Sequence, residues 1–147
     1  MMKEFSVVTD TATISIFDLQ AIRHRLVDTP DWWSIEEDEI QEMNNGNIVF
    51  LGVGEDGGYN IKITEAVEGE TAVLNINVPS GKVFVGAGED ATGGGLEPDG
   101  SSSIQGRMID LKPGNYRVMF KKEDNLIRIS FATSTAVGNN LSKPIRL

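Results

Sequence analysis

Val49-Phe50-Leu51-Gly52-Val53-Gly54-Glu55-Asp56 returns 34 positions later as Val83-Phe84-Val85-Gly86-Ala87-Gly88-Glu89-Asp90, with six of the eight residues identical. Each copy is an apolar run that meets glycine and then two carboxylates, the pattern of a buried strand closed by a turn. Both copies also satisfy the dinucleotide-binding pattern. Gly52-Val53-Gly54-Glu55-Asp56-Gly57 is G-x-G-x-x-G, and Gly86 to Ala91 is its variant ending in alanine. That fingerprint needs a helix directly after the glycines, because helix N-terminal amides hold the pyrophosphate. The first copy instead enters Tyr59-Asn60-Ile61-Lys62-Ile63, which alternates as a strand does, and the second enters three consecutive glycines. The context argues against nucleotide binding. A strand–turn unit duplicated in two facing sheets accounts for the repeat, with the glycines marking a bulge, a bend or a close approach.

Outward from the first copy the chain reads as strand after strand. Residues 47–53 and 59–64 form a hairpin around Gly54-Glu55-Asp56-Gly57-Gly58. Residues 71–78 alternate, and Pro79-Ser80-Gly81 turns them into 82–87. A polar, glycine-rich loop runs from 88 to about 102. Strands resume at 103–111, 115–122 and 126–133, joined by Lys112-Pro113-Gly114 and Glu123-Asp124-Asn125, and a polar tail follows Ser134.

Upstream, 5–8 and 12–17 read as two short strands. Asp18 then has the character of an N-cap, Phe17 that of a staple onto Ile22, and a helix runs to about Val27 with Leu19, Ile22 and Leu26 on one face. Ser34-Ile35-Glu36-Glu37 offers a capping box for a second, acidic helix through Met43, with Asn44-Asn45-Gly46 as its left-handed exit. The expectation is a mainly β, single-domain chain over 1–147: an antiparallel β-sandwich, jelly-roll-like or a distorted barrel. It has about eight or nine strands and one or two short helices near the N-terminus.

Leu111-Lys112-Pro113-Gly114-Asn115-Tyr116-Arg117-Val118 resembles the leucine–proline–glycine–tyrosine hairpin of many bacterial β-sandwich domains. Proline presets the first turn residue, glycine takes the positive φ, and tyrosine returns to the core with a polar tip.

The composition narrows function. A chain of 147 residues fits one core. The absence of cysteine removes disulfides and thiolate chemistry. The first residues lack the apolar segment of a signal peptide, and no run approaches the roughly 18 apolar residues of a membrane span, so a cytoplasmic protein is expected. The net charge of −9 is uneven: residues 1–46 carry −7, 47–100 carry −7, and 101–147 carry +5. The acidic part disfavours nucleic acid and anionic membranes and favours a basic protein partner.

Chemistry has few footholds. The single histidine, His24, reads as a surface or helix-end residue, and no serine sits in a G-x-S-x-G elbow. Zinc is disfavoured without cysteine or a second histidine. Carboxylates in glycine-rich turns and on an exposed helix do not suit a glycosidase cleft. No enzyme and no cofactor are expected. Calcium is the alternative, with Glu55, Asp56, Glu89 and Asp90 as hard oxygen ligands if the two turns meet. Asp31-Trp32-Trp33-Ser34 places two large aromatics beside Glu36, Glu37, Asp38 and Glu39. These are hot-spot residues within an acidic rim, suited to a cationic partner or to a homodimer.

The Asp31-Trp32-Trp33 segment, the acidic stretch after it, and the Gly54-Glu55-Asp56-Gly57 turn followed by Tyr59-Asn60 resemble small acidic bacterial proteins of unknown function. Some of these are of the kind found beside secreted toxins as immunity factors. The resemblance implies stoichiometric capture of a basic partner through Trp32, Trp33, Glu36, Glu37, Asp38 and Glu39. The alternative is a small-ligand module that binds calcium or carbohydrate through the acidic glycine-rich loops.

Overall fold

Ser15 sits where both copies of the repeat meet: Phe50 stands opposite it on one side and Gly86 on the other. The computed structural model describes residues 3–25, 35–67, 69, 72–88 and 106–146. Among these residues the strands are β1 (Lys3–Thr9), β2 (Thr13–Asp18), β3 (Ile48–Gly52), β4 (Gly57–Ile63), β5 (Ala72–Val78), β6 (Lys82–Ala87), β7 (Gly106–Asp110), β8 (Gly114–Glu123), β9 (Leu126–Thr133) and β10 (Ile145–Arg146). A 3-10 segment covers Leu19–Arg25, and one α-helix, α1, covers Glu36–Asn44. The strands make two five-stranded sheets, ordered β1-β4-β9-β8-β5 and β10-β3-β2-β6-β7. The chain is thus mainly β, as its periodicity indicates. Among the described residues no helix is long and apolar enough to cross a membrane.

The two sheets differ in how they bury their faces. In the first, Phe5, Val7, Tyr59, Ile61, Ile63, Leu74, Ile76, Val118, Phe120, Ile127 and Ile129 are buried, and the residues between them are mostly exposed or half-buried. This is the period of two expected of a sheet with one wet face. In the second sheet the central strands β2, β3 and β6 are buried on both faces, and β3 and β6 accordingly read as apolar runs, while β2 keeps Ser15 among its buried residues. One face, which carries Ile16, Val49 and Val85, looks toward the first sheet. Arg107 shares it and holds its guanidinium 5.8 Å from the Phe5 ring on β1. The other face carries Phe17, Phe50 and Phe84, with the Phe17 and Phe84 rings 5.3 Å apart.

Several expectations are corrected. The two copies of the repeat do not lie in facing sheets. They are β3 and β6 of one sheet, on either side of β2 and both antiparallel to it. Val49 and Val85 both face Ile16, so the copies are offset by two residues, a shift that keeps every side chain on its own face.

The expected hairpin of 47–53 with 59–64 is not formed, since β3 belongs to the second sheet and β4 to the first. The turns at 79–81 and 112–114 likewise cross between sheets. Alternation reveals a strand but not its partner, and a few extended residues reach across the ~10 Å between packed sheets as readily as between neighbouring strands. The turn at 123–125 does close an antiparallel pair, β8 with β9, with Asp124 at φ +53°.

The pairing is not uniformly antiparallel, because β4 runs parallel to β9 and β10 parallel to β3. Among the described residues no closed barrel forms: both sheets are open, with edges at β1 and β5 and at β10 and β7.

The first helix is a 3-10 segment kinked at Ile22, whose φ and ψ are −110° and 16°. Asp18 does accept from the Gln20 amide at 3.0 Å, as a cap should, but it remains the last residue of β2 and also binds Ser80. Leu26 and Val27 lie outside the described residues. α1 starts after Ile35 without a side-chain cap, and Ser34 lies outside the described residues. Its exit is as expected: Gly46 has φ +76° and donates its amide to the Met43 carbonyl.

The tail is more structured than its polarity suggests. Asn139 accepts from the Asn75 amide at 2.8 Å and donates to the carbonyls of Met43 and Asn75, tying α1 to β5, while Ile145 and Arg146 pair with β3.

Candidate functional site

The acidic stretch splits into parts that differ in burial. Glu36 and Glu37 are exposed, Asp38 and Glu39 are half-buried, and Glu42 is buried. The helix period sets this division. With 3.6 residues per turn, Glu39 and Glu42 turn toward the protein while Glu36 and Glu37 turn to solvent. Four carboxylates in the first turn also lie at the positive end of the helix dipole, which favours them there.

On the exposed side, Ile35, Glu36, Glu37, Ile40, Gln41 and Ser142 line an open groove of about 840 Å³. Ile35 is 55% exposed and stands beside the half-buried Ile40 in this groove. An apolar floor with a carboxylate rim suits a partner that combines an apolar anchor with cationic side chains. Trp32 and Trp33 lie outside the described residues.

Glu39 faces a second cleft, of about 380 Å³, with Thr11, Ala12, Thr13, Gly52, Gly54 and Arg146. Burial raises the Glu39 carboxyl above its ordinary value, while Arg146 acts in the opposite direction and Glu36 adds to the rise. Gly52, the first glycine of the repeat, explains how Arg146 comes to be here. A Cβ at this position would stand 2.8 Å from Arg146 Cδ and 3.1 Å from the Ile145 carbonyl. The glycine therefore lets β10 lie against β3, a close approach rather than a phosphate cradle.

Glu42 holds the one histidine. Its Oε2 lies 2.7 Å from His24 Nε2, and its Oε1 accepts from Asn47 Nδ2 at 2.7 Å. His24, expected at the surface or at a helix end, lies at the end of the 3-10 segment. Its ring is about half exposed, and one of its nitrogens binds a buried carboxylate. The only signal available in the sequence was the inward helical position of Glu42.

Glu55 and Asp56 are exposed in the turn after β3, and Glu89 and Asp90 lie outside the described residues. Among the described residues no group of three or more histidine, cysteine, aspartate or glutamate side chains is placed to hold a metal ion. The Glu55 carbonyl accepts from Tyr59 Oη at 2.7 Å, which gives this turn a structural task.

Over residues 1–147 the chain matches the model of DUF6386, a family of unknown function. No curated protein matches it. Among solved structures it is similar to the protein titled crocagin biosynthetic gene J. The TM-score is 0.58 and the identity 14%, and the match covers 91% of this chain and 97% of that one. At that identity the likeness is one of fold.

Proposed function

The chain belongs to the DUF6386 family, and for it we propose a non-enzymatic binding module that captures a basic protein partner on the α1 groove. The observation that carries this reading is the exposed Ile35 set beside Glu36 and Glu37 over an open groove. The aliphatic side chain offers the desolvated anchor on which interface energy concentrates, and the carboxylates steer and orient a cation. The −7 carried by each of the segments 1–46 and 47–100 extends that steering beyond the groove. In this reading the two sheets are the layers of a jelly-roll-like sandwich whose β3 side carries α1. An immunity-type inhibitor, holding a basic toxin one to one, is the version that an acidic capture surface serves best.

The test is affinity capture with the wild-type chain and with Ile35→Ser combined with Glu37→Lys, followed by titration of the captured protein. A basic partner held by the wild type, weakened by salt and lost by the double variant at unchanged Tm is the expected result. Equal retention by the double variant would remove the groove from the function.

The small-ligand reading moves from the acidic turns to the cleft of Glu39 and Arg146, where opposite charges face a cavity of about 380 Å³. Glu39→Gln would weaken a small ligand there and leave groove binding intact.

A further inference from the structure

Three of the thirteen lysines and arginines of this acidic chain meet on one surface. On the outer face of the first sheet, Glu4 stands opposite Lys62, Lys62 opposite Arg128, and Arg128 opposite Lys121. Three cations thus stand in consecutive cross-strand positions on β4, β9 and β8. Directly opposed like charges destabilise a sheet, with side chains only about 4.5–5.5 Å apart at Cβ. One carboxylate offsets them locally: Glu123 Oε1 is 3.5 Å from Lys121 Nζ and 3.9 Å from Arg128 Nε. The second distance is too long for a hydrogen bond.

Two further observations mark the same place. Arg128 Nε is buried and, among the described residues, has no hydrogen-bond partner; the same holds for Ser130 Oγ, two residues along the same face. A buried, unpaired group costs about 1–3 kcal/mol, a cost that falls on the fully buried Ser130, whereas the Arg128 side chain as a whole is 42% exposed. The chain leaving β4 passes beside Arg128: the Thr64 amide donates to the Ile129 carbonyl at 2.9 Å, and Val67 is buried. There Ala66, Val67, Lys121, Glu123 and Arg128 line a half-open cavity of about 390 Å³.

We propose that this cavity is an oxyanion site, in which a phosphate or carboxylate group of a ligand lies between Arg128 and Lys121, with Lys62 at its rim. Arg128 donates from its guanidinium, the planar fork that matches both groups, and Lys121 supplies a mobile point charge. Glu123 is the internal competitor that holds the two cations while the site is empty. The site is separate from the α1 groove and stands or falls independently of it.

Inorganic phosphate and malonate are the probes, each titrated against sodium chloride of equal ionic strength, with Tm and calorimetric binding as readouts. Wild type is expected to bind at least one probe beyond the chloride control. Preference for phosphate assigns a phosphate-bearing ligand, and preference for malonate a carboxylate-bearing one. Arg128→Met and Lys121→Met should each weaken binding tenfold or more. Glu123→Gln should tighten it several-fold, an effect that a merely structural Glu123 would not produce. Should Arg128→Met not fold, Lys121→Met carries the test. The proposal is overturned if neither probe exceeds the chloride control, or if the folded variants bind as the wild type does.

Discussion

Asp18 and Ser80 are joined through every polar atom they can offer each other: the Ser80 amide lies 2.7 Å from Asp18 Oδ2, and Ser80 Oγ lies 2.8 Å from both carboxylate oxygens. The carboxylate is buried at the end of β2, and the serine belongs to the turn that takes the chain from β5 in one sheet to β6 in the other. Asp18→Ala removes the charge-assisted hydrogen bonds that a buried carboxylate accepts from the Ser80 amide and hydroxyl and from the Gln20 amide, and should cost about 2–3 kcal/mol. Ser80→Ala keeps the amide bond and should cost only about 1 kcal/mol. Urea unfolding of the two variants checks the ratio.

Tyr59 and Tyr116 perform the same task at two crossings. Tyr59 Oη donates to the Glu55 carbonyl at 2.7 Å and Tyr116 Oη to the Lys112 carbonyl at 2.6 Å, in each case four residues upstream. Each crossing takes the chain from the second sheet to the first, β3 to β4 and β7 to β8. The arrangement is that of a tyrosine corner. Tyr59→Phe and Tyr116→Phe keep the ring and lose the bond, so each should lower stability by about 1 kcal/mol, readable as a drop in Tm.

Glu39 gives stability a dependence on pH with a definite sign. Burial raises its carboxyl pKa in the folded state, so folding favours the protonated form. The corresponding stability is fully present below the unfolded-state pKa and is lost as pH rises through the folded-state value. Glu39→Gln should therefore raise Tm near neutral pH, and the gain should shrink on acidification. Arg146→Met removes the opposing charge and should steepen the wild-type slope.

The two glycines of the first repeat copy should fail differently. Gly52→Ala places a methyl group against Arg146 and the Ile145 carbonyl, so it should loosen β10 and expose its amides to hydrogen exchange. Gly54 has φ +91° and nothing within 4 Å of a Cβ, so Gly54→Ala should cost about 1–3 kcal/mol through backbone strain alone and leave β10 in place.

Strand positions were legible in the sequence because the first sheet alternates and β3 and β6 of the second are apolar runs that meet glycine. Pairing was not. The same alternation in 59–64 fits a hairpin with 47–53 or the observed place between β1 and β9. Tyr116 announced its corner through Pro113-Gly114, while Tyr59 lacked that signature. The acidic segment was visible as charge, but only folding divides Glu36 and Glu37 at the groove from Glu39 in the cleft and Glu42 beneath His24. The basic row was invisible for a related reason: Lys62 joins Arg128 and Lys121 through pairings that span half the chain.

Because β3 and β6 flank a shared neighbour in the same direction, β2 serves as a common template for both copies. Ser15 shows what this imposes. Its hydroxyl donates to the Ala87 carbonyl at 3.2 Å, while Phe50 and Gly86 occupy the positions on either side. A bulkier residue at 15 must find room against both copies at once, so neither can drift without the other. Within the family, changes at 15, 50 and 86 are therefore expected to travel together, a three-way covariation that would carry the geometry of this sheet in the alignment itself.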